Sequence, residues 1–237
     1  MTTRREQEIH EIVDGLIKQF DVLIDAFNRR PPFNKEGQLE YHQATIKRRL
    51  QLGSVSAALR DQAFLSNLYE TLKAWGIGKR GSKLLEFPDF VSELQNKEKE
   101  IVKLEELQID DKDLGIQSTS ERLWRLFDSL SIVENKAKLV AGSKTLHHLL
   151  PDLVSPMDRV YTRFFFGWDE TQYQNSQSSC FTTIFKYYSR IAKAVDLGQY
   201  VGEGWHTSRS KVIDNAVIDF KVHALLQARA HVDVANH

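Results

Sequence analysis

The sequence predicts an all-α protein, a compact bundle of about eight to ten helices. Three observations carry that expectation. Apolar residues recur at steps of three and four along most of the chain. No stretch alternates apolar and polar residues over the length of a strand. Proline and glycine fall where the helical stripes stop.

The first stripe is Ile9, Ile12, Val13, Leu16, Phe20, Leu23 and Phe27, which predicts one helix ended by "RRPPF". Leu39, Gln43, Ile46 and Leu50 outline a second, weaker helix. Leu65, Leu68, Leu72 and Trp75 outline a third, which stops at Gly76. Residues 87–108 read as one long charged helix with Phe87, Phe90, Leu94, Ile101 and Leu104 inward, broken by "DDKDLG". In "STSERLWRLF", Ser118 and Glu121 have the spacing of a capping box ahead of Leu123, Phe127 and Leu130. Phe181, Ile184, Phe185, Tyr188, Ile191 and Val195 give the clearest amphipathic helix. Ile213, Ala216, Val217, Phe220 and Ala224 line the last one, with His223 beside that stripe as a core histidine. The chain reads as a single domain over 1–237, and the short linker at 109–117 is the one place where two lobes could divide.

Composition narrows the function. Of 237 residues, 41% are hydrophobic and 27% charged, enough for a core. Lys plus Arg equals Asp plus Glu at 32 each, so nucleic-acid binding by bulk positive charge is excluded and any such contact needs a local patch. Cys180 is the only cysteine, which excludes an internal disulfide, a cysteine-built zinc site and an iron–sulfur cluster. No apolar run is long enough to span a bilayer and the first residues are charged, so a cytoplasmic protein with no membrane contact is expected. No cofactor motif is present; "GIGKRGSK" lacks the spacing of a P-loop.

The densest chemistry lies in "GSKTLHHLLPDLVSPMDR", residues 142–159. "SPMD" reads as a helix start: Ser155 at the N-cap, Pro156 at the first helical position, Asp158 in the first turn. Asp158 is then either a cap or a site carboxylate. Lys144 has two settings. In a helix starting near Lys136 it lies roughly 140° from the stripe of Leu139, Ser143, Leu146 and Leu150 and faces water. In a helix starting at Ser143 it sits in the first turn and can reach across to Asp158. His147 and His148 are adjacent, not i and i+4, and so do not read as a metal pair.

"AGSKTLHHLL" followed by "LVSPMDRVYTRFF" resembles the hairpin, lysine and aspartate of helix-hairpin-helix DNA glycosylases and DNA lyases. The family's Gly-hydrophobic-Gly pattern occurs elsewhere in the chain, at Gly76-Ile77-Gly78. The resemblance implies an all-α glycosylase-like fold, DNA as partner, and Lys144 and Asp158 as catalytic residues. Lys144 would be the amine nucleophile, with Lys136 and Lys138 as cationic neighbours, and Asp158 would stabilise charge on the sugar.

Two basic groups are candidates for phosphate contact. In "GIGKRGSK", Lys79, Arg80 and Lys83 surround glycines that let a backbone approach a phosphate; the alternative is a helix C-cap with a solvated loop. Arg159 and Arg163, at i and i+4, either line an anion site beside Asp158 or form a solvent face. Trp75, Trp124, Trp168 and Trp205 either stack on bases or pack. The competing functional reading is a non-enzymatic helical interaction or regulatory protein, in which Asp158 only caps and Lys144 is surface.

Overall fold

The computed structural model describes residues 4–79, 83–134 and 138–235, with side chains through residue 222. Among these residues the chain is all-α, with thirteen α-helices and one 3-10 helix. The helices are α1 (Arg4–Lys18), α2 (Phe20–Arg29), α3 (Gln38–Leu52), α4 (Val55–Ala58), α5 (Gln62–Ala74), α6 (Phe87–Asn96) and α7 (Glu98–Val102). They continue with α8 (Ile116–Ser129), α9 (Lys138–Leu149), α10 (Tyr161–Phe165), α11 (Glu170–Asn175) and α12 (Gln177–Ala194). The 3-10 turn η1 (Leu197–Tyr200) and α13 (Arg209–Ala235) complete the order. Nine helices have seven residues or more; the excess over the expected count is single turns too short to show a period.

Several boundaries differ from expectation, each for a local reason. The first stripe is two helices. At Gln19 the amide bonds Leu16 O, three residues back, and the chain kinks there while Leu16 and Phe20 both stay buried. The long charged helix is likewise split at Lys97, whose amide bonds Leu94 O. An apolar stripe that continues across a kink hides the kink. The capping box at Ser118 does not form: α8 begins at Ile116, and Ser118 Oγ donates to Gly115 O at 3.0 Å. The end of α5 is as expected. Gly76 takes φ +82°, its amide bonds Lys73 O, and Ile77 N bonds Leu72 O, a Schellman closure with Ile77 buried.

Helix α9 is the axis of the molecule. Leu139 and every residue from Ala141 to Leu149 are buried. It packs against α3, α5, α8 and α12. Only Val140, Ala141 and Lys144 border a hollow, so the helix has almost no solvent face and its polar residues are enclosed with the rest. Both sequence settings for Lys144 are therefore corrected. The helix is formed from Lys138 onward, and its lysine is nonetheless buried. Gly142 is helix interior rather than a hairpin; a Cβ there would meet the Phe127 ring at 2.9 Å.

The expected helix start at "SPMD" is also corrected. Ser155 to Met157 have no regular structure, and Ser155 Oγ donates to Ser210 O at 2.9 Å. The cap is Asp158 itself. Its Oδ1 accepts from Val160 N at 2.6 Å and Tyr161 N at 3.2 Å, while its own amide donates to Thr162 Oγ1 at 3.0 Å. Pro156 thus sits in the approach to α10, not inside it.

One hydrophobic cluster runs from Ile9 in α1 to Val217 in α13. The segment 109–117 is tied to it: Ile109 is buried, its amide bonds Asp152 O, and its carbonyl accepts from Ser189 Oγ. Among the described residues no helix is long and apolar enough to cross a membrane.

Candidate functional site

Lys144 projects from the middle of α9 towards the C-terminal end of α5. Its Nζ donates to Trp75 O at 3.2 Å, at the helix C-cap. A cation there satisfies a carbonyl that α5 leaves unpaired and meets the negative end of its dipole. On the other side, Nζ lies 3.8 Å from Asp158 Oδ2. The two residues named from sequence are thus together, each closing the end of another helix. The lysine side chain is 9% exposed and the aspartate 30%, so the pair stands at a boundary between interior and solvent. Burial lowers the Lys144 pKa below the ordinary lysine value, opposed by Asp158 and Asp214 and reinforced by Lys211. The cation beside Lys144 is therefore Lys211 of α13. Lys138 instead reaches Leu130 O, and Lys136 lies outside the described residues.

Two hollows meet at this pair. The inner one, of about 150 Å³, is walled by Phe33, Trp75, Trp205, Met157 and Ile218, with Lys211 and Asp214 at its polar end. The outer one, of about 540 Å³, is bounded by Lys35, Gly76, Ile77, Lys79, Arg159 and Val160. Gln38, Trp75, Lys144 and Asp158 line both. The charged residues lining the outer hollow are Lys35, Lys79, Lys144, Arg159 and Asp158, four cations against one carboxylate. A chain with no net charge therefore carries a local basic patch.

The polar end of the inner hollow was not legible as a site from periodicity. Lys211 Nζ donates to Asp214 Oδ2 at 2.7 Å and Asn215 Oδ1 at 2.6 Å, and lies within 5.9 Å of the ring centres of Phe33, Trp75 and Trp205. The signal was present in "SKVIDNA": Lys211, Asp214 and Asn215 stand at i, i+3 and i+4, one helical face carrying three groups that pair. Asp214 is 4% exposed, and burial raises its pKa against the opposing pull of Lys211. Its Oδ1 has no hydrogen-bond partner.

Behind the tryptophans lies a buried histidine cluster. His148 Nδ1 is 2.7 Å from Lys144 O, which can only accept, so that nitrogen carries the proton. His148 Nε2 then accepts from His42 Nδ1 at 2.9 Å, and His42 Nε2 accepts from Thr207 Oγ1 at 2.8 Å. His147 Nδ1 donates to Val154 O at 2.8 Å. All three rings are held neutral by burial, His148 with its pKa lowered to about 4. His42 stacks against Trp205 at 5.8 Å and tilts against Trp75 at 4.9 Å, so the cluster supports the inner wall. The histidines serve as a neutral hydrogen-bonded scaffold beneath Lys144.

The remaining sequence candidates separate. Lys79 lines the outer hollow. Arg80 lies outside the described residues. Lys83 pairs with Glu134 at 2.8 Å, where the chain makes an isolated bridge between Leu84 and Val133, and does not line either hollow. Arg159 lines the outer hollow and contacts Glu170. Arg163 is 3.6 Å from the same Glu170 and lines neither hollow. Trp124 and Trp168 pack in the core, whereas Trp75 and Trp205 face the inner hollow. No protein-family model matches the chain, and neither a curated protein nor a solved structure does.

Proposed function

We propose that this protein is a DNA-binding enzyme of the helix-hairpin-helix type, a glycosylase/lyase in which Lys144 is the nucleophile and Asp158 its carboxylate partner. One observation carries the reading: a buried amine with a lowered pKa stands beside a carboxylate where an aromatic hollow meets a basic cleft. Chemistry on a base requires the nucleotide to leave the stack, and the two hollows divide that task. The aromatic hollow accepts a ring, and Lys79 and Arg159 attract the backbone phosphates. The Gly76-Ile77-Gly78 turn borders the same cleft, where a hairpin of this type would meet a phosphate.

On an abasic sugar the step balances as follows. The neutral Lys144 amine adds to C1′ and water leaves, giving an iminium. Asp158 takes the proton from C2′, the C3′–O bond breaks with loss of the 3′ phosphate, and water releases the lysine. Desolvation favours the neutral amine that this attack needs.

Borohydride trapping on abasic-site DNA tests the reading. Wild type yields a covalent adduct and Lys144→Gln yields none. No adduct with wild type removes the Schiff-base mechanism.

The second reading is a non-enzymatic interaction or regulatory protein, and one observation favours it. Lys144 and Asp158 already have structural employment, at the ends of α5 and α10. If that is their whole role, Asp158→Asn, which keeps the cap, changes nothing measurable on DNA.

A further inference from the structure

Two lysines share the inner hollow and are held differently. Lys211 Nζ is 2.7 Å from Asp214 Oδ2 and 2.6 Å from Asn215 Oδ1, and it faces the rings of Phe33, Trp75 and Trp205. Every one of those contacts favours a cation. Lys144 Nζ donates to Trp75 O at 3.2 Å, and its carboxylate, Asp158, stands at 3.8 Å, beyond hydrogen-bond length. A neutral amine keeps the bond to Trp75 O with one N–H and leaves its lone pair free. Burial acts in the same direction, against the pull of Asp158 and Asp214. Of the two amines in the hollow, Lys144 is the one that can give up its proton and react.

The walls decide what reaches it. Lys144 and Lys211 face Asp158 and Asp214 around the hollow, two charges of each sign, so a charged guest would find no counter-ion left over and the fitting occupant is neutral. The side-chain amide of Gln38 is engaged at both ends, Nε2 with Ala74 O and Oε1 with the Lys35 amide. The rest of the lining is Pro156, Met157, Ile218 and the rings of Phe33, Trp75 and Trp205. The space, about 150 Å³, matches an engineered apolar cavity known to hold one benzene molecule. It takes one six-membered ring and has no room for a fused second one.

We infer that the inner hollow is a binding site for neutral single-ring aromatic aldehydes, which Lys144 holds as an imine. The step balances without a co-reactant. The Lys144 nitrogen bonds to the carbonyl carbon, both hydrogens of the neutral amine leave with the carbonyl oxygen as water, and C=N remains. Asp158, 3.8 Å away, is placed to carry those protons, and water releases the aldehyde by the same step reversed. The inference shares with the DNA reading only the amine of Lys144 and needs no nucleotide.

Reductive labelling of the full chain tests it. Wild type is mixed with benzaldehyde and cyanoborohydride, which fixes the imine as a benzylamine, and the labelled residues are found by peptide mass spectrometry. Lys144 is labelled about tenfold or more faster than Lys211 and the exposed lysines, because the hollow holds the ring beside the amine. 2-Naphthaldehyde, with its second ring, labels Lys144 about tenfold more slowly than benzaldehyde when each rate is taken relative to the exposed lysines. Benzyl alcohol, which fills the hollow but forms no imine, slows labelling of Lys144 and of no other lysine. Labelling spread evenly over the exposed lysines, equal relative rates for the two aldehydes at Lys144, or no effect of benzyl alcohol overturns the assignment. All three readouts use wild type, so no variant has to fold. Benzaldehyde capture without borohydride trapping on abasic DNA removes the lyase and keeps the pocket; trapping on DNA without ring selectivity removes the pocket and keeps the lyase.

Discussion

At the scale of single residues, Asp158 performs two tasks with two oxygens: Oδ1 caps α10 and Oδ2 faces Lys144. Asparagine caps a helix as well as aspartate does but carries no charge. Asp158→Asn is therefore expected to melt within about 0.5 kcal/mol of wild type and to lose strand cleavage at abasic sites while still being trapped by borohydride. Asp158→Ala is expected to lose strand cleavage and about 1 kcal/mol of stability as well, the usual cost of a lost cap. Thermal melts read beside a strand-cleavage assay separate the two roles. The sequence indicated that Asp158 begins a helix but placed the cap three residues early, because Ser155 and Pro156 make the stronger local signal. Ser155 is diverted to a carbonyl of α13, a long-range partner that local spacing does not encode.

At the scale of elements, α9 explains what the hydrophobic pattern missed. Amphipathic reasoning works for a helix with a wet side, and α12 and α5 were legible on that ground. Helix α9 has almost none, so the pattern left Lys144 between a water-facing and a site-facing setting and did not show that it, His147 and His148 are all buried. The enclosure has a measurable consequence. Gly142→Ala drives a methyl into the Phe127 ring, which is itself fully buried. It is expected to cost about 1–3 kcal/mol by overpacking despite the better helix propensity of alanine. Gly15→Ala is the control: it too lies inside a helix, but nothing stands within 4 Å of the new carbon, so it is expected to gain up to about 1 kcal/mol. Urea midpoints for the two variants should move in opposite directions; a destabilised Gly15→Ala or a neutral Gly142→Ala would contradict the packing described.

At the scale of the whole molecule, the neutral histidine cluster couples stability to pH. His148 is held at a pKa of about 4, against 6.5 when unfolded, and His42 and His147 are also lowered. Between those values the unfolded chain binds more protons than the folded one, so stability falls as pH drops from 6.5 towards 4. His148 contributes at most roughly 1 kcal/mol per pH unit in that window, and His42 and His147 act in the same direction. Denaturation midpoints at pH 7, 6 and 5 check this, and a flat profile contradicts burial of the cluster. The basic cleft makes a second molecular-scale prediction. If it binds DNA through phosphates, log affinity falls linearly with log salt, and Lys79→Ala reduces that slope by about one. Net charge concealed this patch in the sequence, because acidic residues elsewhere cancel it in the sum. The fold class was legible because most helices keep one wet face. The pocket was not, because its walls come from Phe33, Trp75, Met157 and Trp205, which no sequence window contains together.

That dispersion bears on how the chain acquires its site. The pocket needs Phe33 near one end of the chain and Lys211, Asp214 and Ile218 in α13. Emerging from a ribosome, the chain can assemble much of the cluster around α3, α5, α8 and α9 before α13 exists. The buried ammonium of Lys211 reaches its carboxylate, its amide and its three rings only when α13 docks against α2. During synthesis the hollow is therefore completed only once α13 has emerged, and cleavage ahead of Arg209 would take away Lys211, Asp214 and Ile218 from its wall together with the buried Val212, Ile213, Ala216 and Val217 of the core.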